Sequence, residues 1–376
     1  MDFIDLKKQY HLLKPSIQKR INDILDRASF IMGSEISELE EKLAHYTGTK
    51  LCLTCASGTD ALLLSLMAKG IGPGDAVFTT SFTFIATAEV ISLLGATPVF
   101  VDIDSKTYNI DPVKLRQEII KVKTGEKITK SFSKSLSPKA IIPVDLFGLC
   151  ADYDKIGAVA KEFGLIVLED AAQSFGATYK GKKACSFGDM AATSFFPAKP
   201  LGCYGDGGAV FTNNKEVFNV LKSLRIHGQG SDKYENVRIG INGRMDTLQA
   251  AVLLAKMEIF DKELEMRQAV AQRYSQALAS SFTIPTIPAA HRSAWAQYSL
   301  QHHKRDEVIL KLKKVGIPSA IYYPKPLHMQ KAFASLGYEK GQIPVAEDIA
   351  TKIFSLPMHP YLEEKDQAEI IRNLTT

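Results

Sequence analysis

Two stretches of the chain decide the fold, Leu165-Ile166-Val167-Leu168-Glu169-Asp170 and Thr193-Ser194-Phe195-Phe196-Pro197-Ala198-Lys199-Pro200-Leu201-Gly202. The first is an apolar run that ends in two acids, a pattern typical of a buried strand of a parallel sheet. Ligands of such sheets bind at the carboxyl ends of the strands, so we expect Asp170 to lie at a binding site. Prolines and glycines surround Lys199, which favours a shaped loop over a free surface.

Outward from these stretches, strands and helices are predicted to alternate from residue 50 to about residue 170. The predicted strands are Leu51–Thr54, Ala76–Thr80, Val99–Ile103, Ala140–Val144 and Leu165–Leu168. The predicted helices are Thr59–Lys69, Ile85–Leu94 and Val113–Lys121, with another before Leu165. Such alternation is typical of an α/β domain in which helices cover both faces of a mostly parallel sheet.

The two ends of the chain follow other patterns. Residues 1–14 are predicted as an extended arm, after which Pro15 opens a helix. A helical stretch from Asp246 to about Ala279 precedes mixed elements, which are strand Trp295–Leu300, helix Glu307–Val315, strand Ser319–Tyr322 and a helix from about Glu363. We therefore predict a large domain of residues 1–245, which includes the arm, and a smaller α+β domain of residues 246–376. The segment Lys123–Lys139 is rich in lysine and serine, and we interpret it as an exposed loop.

Composition narrows the function classes. Of the 376 residues, 45% are hydrophobic and 23% are charged, and the formal charge of +5 is too mild to indicate nucleic-acid binding. The five cysteines lack the spacing of a disulfide framework or of a complete metal site. We therefore expect reduced thiols, a cytoplasmic location and no bound metal. The N-terminus lacks signal-peptide features and no apolar stretch reaches transmembrane length, so we expect no membrane association.

Lys199 and Asp170 carry complementary chemistry. A lysine amine condenses with an aldehyde to form a Schiff base. A carboxylate on the opposite side can keep a pyridine nitrogen protonated. These are the two protein groups that pyridoxal phosphate (PLP) needs, so we predict PLP as the cofactor, Lys199 and Asp170 as catalytic residues, and an aminotransferase activity. The alternatives are that Asp170 caps the next helix and that Lys199 is a surface lysine.

Five further residues are predicted to bind the cofactor. Gly58 and Thr59 lie between a strand and a helix, where unpaired backbone N–H groups can hold a phosphate, and Ser194 can add a hydroxyl. Phe84 can stack on the ring, and Gln173 can reach its phenolic oxygen. Read alone, the run at Gly58 is also a good helix cap, and on periodicity alone Phe84 is interpreted as an ordinary core residue.

Six runs of the chain form a joint pattern, and they are Phe3–Leu6, Gly58–Ala61, Phe82–Thr87, Glu169–Gln173, Ser194–Lys199 and Asn242–Asp246. In these runs, and nearly from end to end, the chain resembles the PLP-dependent nucleotide-sugar aminotransferases of the DegT/DnrJ group. The resemblance implies an aspartate aminotransferase-like fold and L-glutamate as the amino donor. It also implies a homodimer with shared active sites, in which Asn242 reaches the phosphate of the partner's cofactor. On sequence alone, Asn242 could equally be a turn residue.

Within that group, the run Thr193–Phe211 and the tail Leu356–Leu362 are most similar to members that aminate UDP-2-acetamido-2-deoxy-3-oxo-D-glucuronate. This implies a step in the synthesis of O-antigen or capsule precursors. Arg244 can bind a carboxylate through two hydrogen bonds, so we predict that it contacts the sugar.

Tyr322, Tyr323 and His328 are further candidates for substrate binding, although the sequence favours a structural, hydrogen-bonding role for His328 over a catalytic one. Those relatives have His-Tyr where this chain has Tyr322-Tyr323. The alternative functions are amination of a UDP-4-keto-6-deoxy sugar, a PLP-dependent sugar dehydratase, and a sugar-sensing dimer without catalysis. Lys199 argues against the dehydratase, because relatives with that activity have histidine at this position.

Overall fold

A seven-stranded sheet organises the first part of the chain in the computed structural model, which describes residues 1–129, 131, 136–232 and 234–375. The strands have the bounds β1 (Leu51–Cys55), β2 (Asp75–Thr80), β3 (Thr97–Val101), β4 (Ser137–Ile142), β5 (Ile166–Asp170), β6 (Thr178–Tyr179), β7 (Lys182–Lys183), β8 (Met190–Ser194), β9 (Gly208–Thr212), β10 (His291–Arg292), β11 (Tyr298–Gln301) and β12 (Ile353–Leu356).

The helices have the bounds α1 (Leu6–Arg27), α2 (Ser34–Thr47), α3 (Gly58–Ala68), α4 (Ala86–Leu93), α5 (Pro112–Thr124), α6 (Tyr153–Phe163), α7 (Lys215–Leu224), α8 (Thr247–Met257), α9 (Phe260–Leu278), α10 (Arg305–Lys314), α11 (Pro344–Lys352) and α12 (Glu364–Thr375). Each described helix is too short or too polar to cross a lipid bilayer.

The large sheet has the strand order β1-β9-β8-β5-β4-β2-β3. Strand β9 runs antiparallel to both of its neighbours, β1 and β8, and the remaining pairs are parallel. The predicted α/β fold with a mostly parallel sheet is therefore confirmed. Because β1, β2, β5 and β8 all run in the same direction, their carboxyl ends meet at one edge of the sheet.

Helices cover both faces of this sheet, and each face has its own apolar core. Leu39 of α2, Ile119 of α5 and Ile156 of α6 are buried on one face. Leu64 of α3 and Leu221 of α7 are buried on the other face. With both faces covered, the strands consist almost entirely of buried residues, which explains their continuous apolar runs.

The N-terminal segment differs from the sequence prediction. The helix begins at Leu6, where the Asp5 carboxylate accepts a hydrogen bond from the Lys8 N–H at 2.8 Å, and Pro15 lies inside the helix. Proline removes one backbone hydrogen bond from a helix. The loss is tolerated here because Pro15 lies on the exposed side, where water can solvate the freed carbonyl, while Ile17 is buried.

The second part of the chain also differs in detail. The helical stretch predicted from Asp246 to Ala279 consists of two helices, α8 and α9, and the predicted strand Ser319–Tyr322 contributes only one bridge, between Ala320 and Ser355. Helices α10 and α12 enclose a separate apolar core with α9, β11 and β12. Helix α8 packs against α1 and α2, so the domain boundary after residue 245 stays a prediction.

The connection between α5 and β4 is shorter in the structure than the loop Lys123–Lys139 that the sequence predicts. Helix α5 continues to Thr124 and is capped by Gly125, and β4 begins at Ser137. Within the predicted loop, Lys130 and residues 132–135 lie outside the described residues.

Candidate active site

Lys199 and Asp170 face each other at the carboxyl edge of the sheet. Asp170 ends β5 and is 4% exposed, and Lys199 lies in the loop between β8 and β9. Burial lowers the pKa of the Lys199 amine, and the charge of Asp170 offsets only part of that effect. Among the described residues, the amine has no hydrogen-bond or ion-pair partner. A lysine with a lowered pKa and a free amine is suited to attack an aldehyde.

Two hydrogen bonds fix the Asp170 carboxylate. The hydroxyl of Thr87 donates to Oδ2 at 2.7 Å, and the N–H of Ala172 donates to Oδ1 at 3.1 Å. Burial raises the pKa of Asp170 despite these bonds. A cationic ring nitrogen opposite the carboxylate would offset this cost of burial. The contact with Ala172 shows that Asp170 also caps the following turn, so the two roles weighed from the sequence are compatible.

Thr87 is a site residue that the sequence reasoning missed. It lies in the first turn of α4, within the run Phe82–Thr87, and it is 1% exposed. Phe84 precedes the helix, which begins at Ala86, and the position of Thr87 in the sequence gives no separate signal of a role at the site. The distant partner Asp170 is what gives the hydroxyl its role, and that contact exists only in the fold.

The start of α3 forms a candidate phosphate site. The Ser57 hydroxyl caps the helix by accepting the Asp60 N–H at 3.0 Å. In the described chain the N–H groups of Gly58 and Thr59 have no acceptor, and they point out of the helix start. A Cβ at Gly58 would lie 2.6 Å from the Cβ of Ser194, so the helix can touch Ser194 only because this residue is glycine. The three residues predicted to bind phosphate therefore lie together.

Gln173, Tyr323 and Phe84 lie beside the Lys199–Asp170 pair. The Gln173 side chain is 3% exposed, and its Oε1 accepts the Phe147 N–H at 2.8 Å. Its Nε2 donates to the Tyr323 hydroxyl at 3.2 Å. The Phe84 ring is 56% exposed and its centroid lies 6.5 Å from that of Tyr323, whereas Phe82 is fully buried. Phe82 is thus the core residue of this run, and Phe84 offers an accessible ring.

Asn242 and Arg244 flank the phosphate site on another segment. The Gly243 carbonyl accepts the Ala56 N–H at 2.9 Å, which fixes this segment beside the start of α3. The Asn242 side chain is exposed. The Nε of Arg244 is buried and has no acceptor in the described part of the chain. Such an unpaired donor is suited to an anionic ligand.

The structure does not place the His328 ring in the accessible part of the candidate site. Its Nδ1 lies 2.6 Å from the Ser81 hydroxyl and its Nε2 lies 3.1 Å from Oε1 of Glu347. Because both ring nitrogens have partners and the residue is 2% exposed, His328 fits the role of a structural histidine. Tyr322 packs edge-on against Phe3, with ring centroids 6.5 Å apart, and its contact with substrate stays a prediction.

These residues fit PLP. The helix start and Ser194 would bind its phosphate, Phe84 and Gln173 would contact the ring, Asp170 would face the ring nitrogen, and Lys199 would attach the aldehyde.

The chain is similar over nearly its whole length to known aminotransferases. The UDP-2-acetamido-2-deoxy-3-oxo-D-glucuronate aminotransferase of Pseudomonas aeruginosa is 48% identical and covers 96% of both chains. The UDP-N-acetyl-3-dehydro-alpha-D-glucosamine 3-aminotransferase of Acidithiobacillus ferrooxidans is 41% identical over 98% of this chain and 95% of its own. A crystal structure of a DegT DnrJ EryC1 StrS aminotransferase from Brucella abortus has 49% identity, covers 100% of this chain and 98% of its own, and superposes with a TM-score of 0.95.

The fold and the relatives define a PLP-dependent aminotransferase. Residues 12–375 match one family across the sheet, the lysine loop and the C-terminal elements. The chain belongs to the DegT/DnrJ/EryC1/StrS aminotransferase family.

Proposed function

We propose that the enzyme transfers the amino group of L-glutamate to UDP-2-acetamido-2-deoxy-3-oxo-D-glucuronate. We further propose that it acts as a cytoplasmic homodimer in the synthesis of O-antigen or capsule precursors. The observation that carries the proposal is the 48% identity to the Pseudomonas aeruginosa aminotransferase over 96% of both chains. Both named relatives take 3-keto sugars, which supports amination at C3 over C4.

The chain's own residues have distinct tasks in this reaction. PLP, when bound, supplies an electron sink for the carbon that loses or gains the nitrogen. Lys199 Nζ removes the proton from Cα of the amino donor, and in the second half-reaction it returns a proton to the sugar carbon that receives the nitrogen. Asp170 fixes the charge of the ring nitrogen, and Thr87 and Ala172 fix Asp170. The donor product leaves before the sugar binds, so the kinetics are ping-pong.

The test of the proposed activity is a panel of UDP-linked keto sugars. Enzyme, PLP and glutamate are incubated with 3-keto and 4-keto sugars, with and without the C6 carboxylate, and the products are analysed by mass spectrometry. Amination of the 3-keto uronate at the highest kcat/KM supports the proposal. A preference for a 4-keto-6-deoxy sugar contradicts it, and release of ammonia without an aminated product indicates a dehydratase.

Arg244→Gln tests recognition of the sugar carboxylate. A charge-assisted hydrogen bond to a carboxylate stabilises by roughly 1.5–3 kcal/mol, so we expect KM for the 3-keto uronate to rise about 10-fold to 100-fold. The unpaired Nε of Arg244 is the basis for this expectation. The matched control is the 3-keto sugar without the carboxylate, whose KM should change little. An equal loss with both sugars would show that Arg244 contacts another group.

Exposed apolar side chains near Asn242 support the homodimer. Val237 is 51% exposed and Ile239 is 88% exposed on the segment that leads to Asn242. Phe30, Ile31 and Met32 are also 44–49% exposed in the turn between α1 and α2. Exposed apolar groups of this kind mark protein–protein contacts, and a second copy of the chain is the proposed occupant.

Mixed dimers test whether Asn242 serves the partner's site. We expect Lys199→Ala and Asn242→Ala each to be inactive or impaired alone, and we expect mixing under subunit exchange to restore activity. The mixed dimer then contains one site with both residues intact. The measurement is activity of the mixture against each parent, with mass by light scattering against the chain mass of 41.4 kDa. Absence of recovery in a mixture shown to exchange subunits would place Asn242 in its own subunit's site.

A further inference from the structure

Lys256 is a buried lysine that binds the backbone of the loop carrying Lys199. It lies on α8 and is 1% exposed. Its Nζ donates to the Gly202 carbonyl at 2.5 Å and lies 4.3 Å from the centroid of the Tyr204 ring. No carboxylate forms an ion pair with it in the described ranges. A buried ammonium without a paired carboxylate is costly, so its contacts with the carbonyl and the ring must offset much of that cost.

The Gly202 carbonyl belongs to the point where the lysine loop closes on itself. The Cys203 N–H donates to the Phe195 carbonyl at 2.8 Å, and the Lys199 N–H donates to the Phe196 carbonyl at 2.9 Å. A Cβ at Gly202 would lie 2.6 Å from the carbonyl oxygens of both Phe196 and Pro197. The end of the loop therefore packs directly on its beginning, and the position of Gly202 limits where Lys199 can lie.

A second side chain of α8 binds the same loop. The Gln249 side-chain oxygen accepts the Tyr204 N–H at 2.9 Å. Gln249 and Lys256 are separated by about two helical turns, so both lie on the face of α8 that meets the loop. Helix α8 thus fixes two successive parts of the loop, the Gly202 carbonyl and the Tyr204 N–H.

We infer that Lys256 is a positioning residue for Lys199. Its ammonium fixes Gly202 and so keeps the loop in the arrangement in which the Lys199 amine is desolvated and faces Asp170. This inference rests on the proposed role of Lys199 as the lysine that binds PLP.

The two amines face different charged groups. Asp170 faces Lys199, while Glu263 and Cys203 face Lys256, whose pKa burial lowers to about 8. Loss of Lys256 therefore acts on Lys199 through the loop backbone and not through a shared charge. A looser loop admits water to the Lys199 amine, which returns its pKa towards the ordinary lysine value.

The test is the pH dependence of PLP attachment to the apoprotein of Lys256→Met. The rate of attachment follows the neutral fraction of Lys199, so it reports the pKa of that amine independently of turnover. We expect the rate at pH 7 to fall about 10-fold and the pH midpoint to rise by about one unit, because each pKa unit changes the neutral fraction about 10-fold. Lys256→Arg keeps a donor near Gly202 and is expected to recover most of the rate.

Two controls separate positioning from general destabilisation. Ile370→Ala removes a buried side chain in the core of α9, α10 and α12, and Lys161→Met removes an exposed lysine. Both should keep the wild-type midpoint. The inference is overturned if Lys256→Met folds and keeps the wild-type rate and pH midpoint of PLP attachment. It is also overturned if Ile370→Ala has the same melting temperature as Lys256→Met and shows the same shift of the pH midpoint.

A second variant covers the case in which Lys256→Met does not fold. Tyr204→Leu leaves Lys256 in place but removes its ring partner, and it must also raise the midpoint, while an unchanged midpoint overturns the inference. Borohydride trapping in the wild-type protein distinguishes failure of the proposed function from failure of the positioning role. An adduct elsewhere than Lys199 contradicts the proposed function, whereas an adduct at Lys199 with an unaffected Lys256→Met contradicts only the positioning role.

Discussion

Lys199→Ala is expected to lose about 10⁴-fold in kcat, the upper end of the roughly 10²–10⁴-fold that a general acid/base contributes. The variant also loses the covalent attachment of the cofactor. It should fold normally, because the amine has no partner within the described structure whose loss would cost stability. The measurements are product formation by mass spectrometry, visible absorbance of the cofactor-loaded protein and the melting temperature of the apoprotein.

The matched control for this variant is Lys161→Ala, which changes an exposed lysine. Peptide mapping after borohydride reduction of the wild-type protein should place the cofactor on the peptide that contains Lys199. Wild-type activity in Lys199→Ala would remove the basis of the assigned site. Activity that is lost together with the fold would be visible as a lower melting temperature.

Asp170→Asn is expected to lower kcat about 10³-fold, in the range found when a group that stabilises transition-state charge is removed. An amide has nearly the same shape as the carboxylate and can still accept the hydrogen bond from Thr87. It cannot keep a ring nitrogen cationic, because it has no charge. The measurement is the single-turnover rate of the half-reaction with glutamate, in which product release plays no part.

Asp154→Asn provides the comparison for Asp170→Asn, since Asp154 is exposed and its ion pair with Lys180 lies at the surface. This control should retain wild-type rates. If Asp170→Asn kept its half-reaction rate within about twofold, the carboxylate would be a structural cap of the turn at Ala172.

Local patterns predicted most of the large sheet. The strands β1, β2 and β5 are short runs of mostly buried residues that alternate with helices, which is the pattern from which they were predicted. The antiparallel strand β9 was not predicted, since its direction depends on pairing with β1 and β8, which are distant in sequence. The start of α1 was also mispredicted, because the proline rule outweighed the capping signal of Asp5.

Local patterns also predicted only part of the candidate site, because some of its contacts join residues that are distant in sequence. Lys199 and Asp170 could be proposed because each has reactive chemistry, Asp170 at the end of an apolar run and Lys199 among prolines and glycines. Thr87 and Lys256 have ordinary helix positions, and only contacts with Asp170 and Gly202 reveal what they bind. His328 is the opposite case, because its side chain has reactive chemistry but both of its ring nitrogens contact Ser81 and Glu347 in the fold.

The antiparallel strand β9 has a consequence for how the enzyme loses its cofactor. Strand β9 forms a hairpin with β8, whose connection bears Lys199, and its first residue packs on Ser57, the cap of α3, so closely that a Cβ at Gly208 would lie 2.3 Å from the Ser57 carbonyl oxygen. If β8 and β9 separate in part, the loop that carries Lys199 and the start of α3 that would bind the phosphate lose their positions together, as one cooperative unit. Heat inactivation and cofactor dissociation should then share a single activation barrier.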